Sequence, residues 1–429
     1  MTSDVVVLGA GAAGLAAARD LSQAGLRVLV IEARSRIGGR VHTVHDPRAP
    51  IPIELGAEFV HGPAPETLSI ARAAGLTVLE LPGRQEIATT GRFETRDEFW
   101  QAVSRMNHDL AKQIARRGKD FPVSEYLESV RVPAAAKSML RSFVEGFYAA
   151  KPDRLSAMSL ADEAGEDEDD SLEGAQFRIA NGYDKVLSWL RDSLDPERCE
   201  VRLSTVAHAI RWKSGSVRVT CRAADDADLA PVSARTAVVT LPLAVLKAGA
   251  VTFDPILPAK QRALAKLETG QVLKIVLRFR KAFWDESVTF LYAPGAEIPT
   301  WWTTAPVRAP IITAWVGSAR AEALLAEEPR TRLERSLVVL SDILAVPRRE
   351  LEAQLDASSS HDWHADPFAR GAYSYIGVGG VRAPRALSRP VDGTLFFAGE
   401  ATNGEQIGTV AGALASGRRA AREVLRVLK

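Results

Sequence analysis

Six residues near the amino terminus, Gly9-Ala10-Gly11-Ala12-Ala13-Gly14, carry the G-x-G-x-x-G spacing that lets a main chain wrap closely around a pyrophosphate. Gly9 permits the tight turn, Gly11 removes the side chain that would keep phosphate from the backbone, and Gly14 lets a helix pack closely on a strand. The helix that opens there, with Ala13 in its first turn, offers free N–H groups and the positive end of its dipole to the phosphates. Glu32 ends the next apolar run, where a carboxylate can accept bonds from ribose hydroxyls. The chemistry implied is dinucleotide binding, and the loop by itself does not separate NAD from FAD. A glycine-rich turn without a ligand is the competing reading, and strand, helix and acid all being in place disfavour it.

The elements needed to hold this loop are legible around it. Val5 to Leu8 reads as a strand, Leu15 to Ala24 as a helix, and Val28 to Ile31 as a second strand after Gly25. From about Thr67 to Val144 the pattern becomes helical, with Leu68, Ile70 and Ala71 and then Phe99, Val103 and Met106, broken by Pro122 and Pro133. The acidic run from Glu163 to Gly174 reads as a solvated loop, although acids at a cavity mouth would also attract a polycation. Val186, Leu187, Leu190 and Leu194 then keep a helical stripe. Short β-rich runs follow at Val217 to Cys221, Thr236 to Leu241, Val272 to Phe279 and Ile311 to Val316, with an amphipathic helix from Thr331 to Ile343 and a glycine-rich strand-to-helix segment from Thr394.

Composition excludes several function classes. The chain has 429 residues, 46% hydrophobic and 25% charged, which suits a globular protein with room for two domains. Its 54 lysines and arginines nearly balance 53 acids, so no nucleic-acid or anionic-membrane partner is expected. Cys199 and Cys221 have neither C-x-x-C spacing nor metal-ligand company, which fits a reducing compartment and no metal site. No signal-peptide pattern opens the chain and no run reaches the roughly 18 apolar residues of a membrane span. The expectation is a soluble cytoplasmic protein, with monomer and dimer both compatible.

The residues after Glu32 carry a family resemblance. Glu32-Ala33-Arg34-Ser35-Arg36-Ile37-Gly38-Gly39-Arg40 resembles the E-A-x-x-R-x-G-G-R stretch of the flavin-containing amine oxidase superfamily (monoamine oxidase and polyamine oxidase-like proteins). ELGAEFVHG (Glu54 to Gly62) is similar to that family's loop over the flavin, and FRIANGYDKVLSWL to its G-G-Y helix. Thr240 to Trp284, HDWHADPFARGAYSY (His361 to Tyr375) and Leu395 to Leu425 follow in family order. The resemblance implies an α/β fold: a discontinuous Rossmann-like FAD-binding domain (1–77, 184–246 and 360–429) and a substrate domain of helices and a mixed β-sheet (78–183 and 247–359). It implies FAD as cofactor and, with only one G-x-G-x-x-G present, electrons taken directly from a small-molecule amine substrate.

By the same resemblance, Arg40 contacts FAD phosphate, Arg34 and Ala33 lie near the adenosine, and Gly39 belongs to the same turn. Gly56, Ala57 and Glu58 belong to the loop over the flavin, Val206 meets adenine, and Trp363 lies near the flavin, though such tryptophans are often plain core. Gly399 and Glu400 sit near the ribityl chain and phosphates. Gly408, Thr409 and Val410 open a helix under flavin N1 and O2, where its dipole stabilises reduced flavin. Lys274 aligns with the lysine that holds water against flavin N5. Flanked by Leu273 and Ile275, it would be desolvated if inward and could relay protons or assist oxygen reduction, whereas a lysine on the solvent face of a strand is the commoner arrangement. Tyr373 aligns with one wall of an aromatic cage for the amine; a strand tyrosine packed in the core is the bland alternative. His61 stands where polyamine oxidases carry a histidine, though loop histidines are more often surface residues. Ala372 replaces the cysteine of covalently flavinylated monoamine oxidases, implying noncovalent FAD, and Thr409 replaces a second cage tyrosine. Trp301 and Trp302 must point to opposite faces of a strand, with core packing expected for both.

The function implied is oxidation of a primary or secondary amine, polyamine- or monoamine-like, by hydride transfer to flavin N5. Imine hydrolysis would give an aldehyde or ketone, and oxygen as acceptor would give hydrogen peroxide. An L-amino acid oxidase is the enzymatic alternative, requiring an arginine clamp for which Arg278, Arg308 and Arg370 are candidates. A redox-inactive flavoprotein scaffold is the non-enzymatic one.

Overall fold

Strand Ser3–Leu8 is apolar and completely buried from Val5 onward, and its neighbours are built alike. The computed structural model describes residues 3–81, 85–89, 92–95, 98–162 and 175–429, with side chains for 3–81, 101–161 and 175–429. Five parallel strands stand in the order Cys199–Arg202, Val28–Ile31, Ser3–Leu8, Asp228–Val239 and Leu395–Phe397. Near-continuous apolar runs are what a parallel sheet covered on both faces requires. The first half of Asp228–Val239 continues into an antiparallel layer with Ser216–Ala223 and Thr205–Lys213, edged by Thr252–Asp254. Helices Ala12–Gln23 and Val410–Leu428 cover one face, burying Leu15, Leu21, Leu414 and Val424 against Val5, Val7, Val28 and Val30.

A second sheet runs Leu355–Ser360, Val272–Phe279, Ile311–Gly317, Thr300–Thr303, Phe290–Tyr292, Gln85–Thr89 and Arg92–Thr95. Side chains alternate along Val272–Phe279. Leu273, Ile275, Leu277 and Phe279 pack under helices Ser318–Leu325 and Pro329–Leu344, which leaves Val272, Lys274, Val276 and Arg278 for the opposite face. Trp301 joins the helix-covered face and Trp302 the other. A small sheet of Phe59–His61, Gln176–Ile179 and Val78–Glu80 lies at the junction of the layers.

The fold is the mixed α/β architecture expected. One stretch differs: within the segment expected to be helical from Thr67 to Val144, helices Pro65–Ala73, Glu98–Arg117, Val123–Ser129 and Ala134–Phe147 are interrupted by strands Val78–Glu80, Gln85–Thr89 and Arg92–Thr95. Val78–Glu80 pairs with Gln176–Ile179 and Gln85–Thr89 with Phe290–Tyr292, both far away in sequence, so local periodicity carried no trace of them; Arg92–Thr95 follows as the hairpin partner of Gln85–Thr89. The acidic run Glu163 to Gly174 lies outside the described residues.

The first and last helices meet at a glycine. A Cβ on Gly417 would lie 2.2 Å from the Ala13 carbonyl oxygen, against backbone that cannot swing aside. Gly417→Val should therefore cost about 3 kcal/mol, the upper end of overpacking penalties, because valine is only slightly better than glycine in a helix. The urea midpoint of unfolding checks this, and an unchanged midpoint would contradict the packing.

Candidate active site

The glycine loop has the cradle its spacing demands. Gly9 adopts φ +108°, and a Cβ at Gly14 would lie 1.9 Å from the Gly9 carbonyl oxygen, so only glycine allows the helix to start there. At Gly11, by contrast, a Cβ would meet nothing within 4 Å, and no side chain caps the helix that follows. The backbone is open where a phosphate group would approach, with the first-turn N–H groups beside it. Glu32 is buried and accepts from Ala10 N at 2.7 Å and Arg34 N at 2.9 Å. Each carboxylate oxygen has a second lone pair, so these bonds do not preclude ribose hydroxyls. These residues fit a dinucleotide.

Two arginines after Glu32 are held by distant carboxylates. Arg34 Nη1 donates to both oxygens of Asp366 at 2.9 and 2.8 Å, and its guanidinium lies 5.4 Å from the Phe368 ring centroid. Arg40 Nη1 donates to Ala372 O at 2.6 Å and Glu400 Oε1 at 2.8 Å. Glu400 also accepts from Ser374 Oγ at 2.9 Å and Gly408 N at 3.1 Å. Thr409 Oγ1 accepts from Gly412 N at 2.9 Å and so caps helix Val410–Leu428, orienting its positive end. Trp363 Nε1 donates to Leu55 O at 2.9 Å, tying the turn that carries it to the loop of Gly56 and Ala57.

One cavity of about 1170 Å³ runs from Gly9 to Lys274 and Tyr373. Every residue assigned from the glycine motif or the family resemblance to cofactor binding or catalysis lines it except Gly14, which packs beneath the loop. Small-molecule sites commonly measure ~300–1,000 Å³, so this one has room for a large cofactor and a substrate beside it. Lys274, only 3% exposed, donates from Nζ to Glu58 Oε2 at 2.7 Å and Gly56 O at 3.1 Å, and lies 5.5 Å from the Trp302 ring centroid. Arg178 Nη2 stands 3.1 Å from the other Glu58 oxygen. Burial works to raise the Glu58 carboxyl, yet Lys274 and Arg178 together hold it below the ordinary glutamate range. Glu54, behind them, is pushed up to about 7 by burial while accepting from Tyr183 N at 2.7 Å.

Aromatic rings enclose the far chamber. Tyr373 Oη donates to Phe147 O at 2.7 Å, and burial raises its phenol above the usual tyrosine range. His61 packs edge-on against Phe59 and Phe147, and its accessible surface faces the cavity. Trp302 is a cavity wall, whereas Trp301 is fully buried core. Sequence reasoning missed Arg178, Trp315 and the rings of helix Ala134–Phe147. Phe143 and Phe147, four residues apart and stacked with centroids 5.2 Å apart, were the available signal, since that spacing puts both on one helix face. Arg178 gave no signal, because its partner is set by strand pairing. Of the proposed carboxylate clamps, Arg278 is bound to Asp46 and Asp356, Arg308 to Glu286, and Arg370 lies exposed on the cavity wall.

A pyrophosphate cradle continuous with a buried lysine and an aromatic chamber fits a dinucleotide-dependent oxidoreductase. The family model described as flavin containing amine oxidoreductase matches residues 12–425, and the chain belongs to that family. It is accordingly a flavin-dependent amine oxidoreductase. Polyamine oxidase 2 of Arabidopsis thaliana is 29% identical over 463 residues, covering 99% of this chain and 89% of that protein. Lysine-specific histone demethylase 1 homolog 3 of Arabidopsis thaliana is 28% identical across 99% of this chain, which spans only 30% of that protein's length. In fold, the chain superposes on putrescine oxidase bound to putrescine with a TM-score of 0.82 at 23% identity, and on cyclohexylamine oxidase from Brevibacterium oxydans with 0.81 at 21%, covering 99% of each chain. Among the described residues no helix is long and apolar enough to cross a membrane.

Two imidazoles have their basicity lowered. Burial lowers His61 to about 4, and burial followed by the Arg36 charge lowers His42 to about 4. The unfolded chain protonates such rings near 6.5, so between about 6.5 and 4 it binds more protons than the folded protein, and stability falls as pH drops through that window. NMR should find both rings neutral at pH 5.5. The unfolding midpoint of wild type relative to His61→Gln should fall between pH 7 and 5; a charged His61 at pH 5.5 would refute the assignment.

Proposed function

We propose that the chain is an FAD-dependent oxidase of primary or secondary amines, polyamine- or monoamine-like, acting in the cytoplasm with noncovalently held cofactor. The observation that carries this reading is the single cavity joining the Gly9–Gly14 loop to the chamber of Lys274, Tyr373 and Trp302. When bound, FAD supplies the acceptor for a hydride at N5 and returns the electrons to oxygen, giving hydrogen peroxide; the imine is hydrolysed to an aldehyde or ketone.

The chain's own residues bind, orient and exclude water. Gly9, Gly11, Ala13, Glu32, Ala33, Arg34, Gly39, Arg40 and Val206 hold the dinucleotide, with Gly56, Ala57, Glu58, Trp363, Gly399, Glu400 and the helix start at Gly408, Thr409 and Val410 around the flavin end. Residues 1–77, 184–246 and 360–429 form this cofactor part, and 78–183 and 247–359 shape the chamber. Tyr373 and Trp302 offer ring faces to the amine. His61, neutral, can accept a hydrogen bond from the ammonium or donate one to the free amine. Lys274 keeps an ammonium at the wall, where developing negative charge is stabilised. Ala372 supports noncovalent attachment, having no nucleophile to bond to flavin. Relatives named polyamine oxidase and putrescine oxidase support amines as the substrate class. Arg278 and Arg308 carry carboxylate partners, which leaves Arg370 on the cavity wall as the remaining candidate for a carboxylate clamp.

Purified protein should show an FAD spectrum, release the flavin on acid precipitation, and bleach anaerobically with one or more of benzylamine, cyclohexylamine, putrescine and spermidine. Bleaching by amino acids alone would replace the reading with amino acid oxidation. Tyr373→Phe should keep most of kcat/KM and Tyr373→Leu lose about tenfold, roughly 1.4 kcal/mol of transition-state stabilisation; equal rates would remove Tyr373 from the site.

A further inference from the structure

We propose that Glu58 is the positioning residue of Lys274: it fixes the ammonium at the cavity wall and thereby sets the rate at which reduced flavin gives its electrons to oxygen. The inference rests on the placement of Lys274 beside flavin given above. Lys274 occupies a strand buried along its whole length. An ammonium in such a place carries a large desolvation penalty unless a carboxylate and further acceptors meet it. Both acceptors that meet it come from one short segment, Glu58 Oε2 at 2.7 Å and Gly56 O at 3.1 Å. That segment, and not solvent, decides where Nζ points. Two of three N–H groups are taken, and the third remains for the cavity that Lys274 lines.

Glu58 is clamped from its far side as well. Arg178 Nη2 stands 3.1 Å from Glu58 Oε1 and donates to Thr303 O at 3.1 Å, and both side chains are largely buried. The row Arg178–Glu58–Lys274 therefore links the small sheet through strand Gln176–Ile179 to the large one through strand Val272–Phe279. Within this row two cations face one anion, so Glu58 is shared between Lys274 and Arg178. Oxygen reduction to hydrogen peroxide takes two electrons and two protons; reduced flavin supplies both electrons and one proton, and solvent the other. Negative charge grows on oxygen as electrons arrive, and a cation held in place stabilises it better than one that must first be reoriented.

The test uses flavin-loaded, full-length protein: wild type, Glu58→Gln, Lys274→Met and the double variant, with flavin occupancy and visible spectrum recorded first. Each is reduced anaerobically with dithionite, so that no amine need be chosen, and mixed with oxygenated buffer while flavin absorbance is followed. Glu58→Gln and Lys274→Met should each slow reoxidation about tenfold, and the double variant should be no slower than Lys274→Met alone, because Glu58 acts only through the lysine. Glu58→Asp, which keeps the charge, should recover part of the loss. An unchanged rate in Glu58→Gln, or losses that multiply in the double variant, would overturn the inference. If Lys274→Met reoxidises at the wild-type rate, the placement of Lys274 fails first and takes the inference with it. Should Glu58→Gln lose its flavin, Arg178→Gln replaces it in the cycle, and a wild-type rate there is equally fatal.

Discussion

The buried carboxylate of Glu400 is the point on which the site depends. It receives Arg40 from the Gly38-Gly39 turn, the Ser374 hydroxyl and amide from the strand after Tyr373, and the Gly408 amide just before the last helix. Arg40 and Glu400 lie 360 residues apart in sequence. A carboxylate out of water is tolerated only when its lone pairs are met, and here three separate segments meet them. The bonds place Tyr373 and Thr409 relative to the glycine loop within a narrow range, since a shift in any segment would leave buried charge unsatisfied. Remote glycine contacts work in the same sense, with Gly417 seated on the Ala13 backbone.

A second constraint comes from strand Val272–Phe279. Alternation sends Leu273, Ile275, Leu277 and Phe279 under the helices and so forces Lys274 and Arg278 to the opposite face. Each buried cation is then matched by carboxylates, Arg278 by Asp46 and Asp356, and Lys274 by Glu58. The same geometry yields two outcomes. Arg278 is enclosed between acids from two segments, whereas Lys274 stands where the layers part and the cavity begins.

Particular residues mark how far the chain could be read without coordinates. The strand, glycine turn and helix of residues 3–31 were legible because their determinants are local: apolar runs, glycines at fixed offsets, and an acid closing the next strand. Strand Val272–Phe279 was legible in extent for the same reason. Gln85–Thr89 was not, because a strand that exists by pairing with Phe290–Tyr292 shows no periodicity of its own, and Arg92–Thr95 exists only as the hairpin partner of that strand. Within the site, His61, Lys274 and Tyr373 could be singled out, yet Trp302 was assigned to the core and Arg178 was overlooked.

What the sequence by itself determined is the glycine cradle, the acid behind it, the family order of segments and hence flavin-dependent amine chemistry. These are written in contiguous residues whose backbone freedom, charge and spacing act within a few turns of chain. Only the tertiary structure decided that Lys274 is matched by Glu58 and Arg178, that Trp302 faces the cavity and Trp301 does not line it, and that Arg34 and Arg40 are held by Asp366 and Glu400. Those pairings join residues more than a hundred positions apart, and tertiary packing of separate segments, rather than any local preference, brings them within hydrogen-bonding distance.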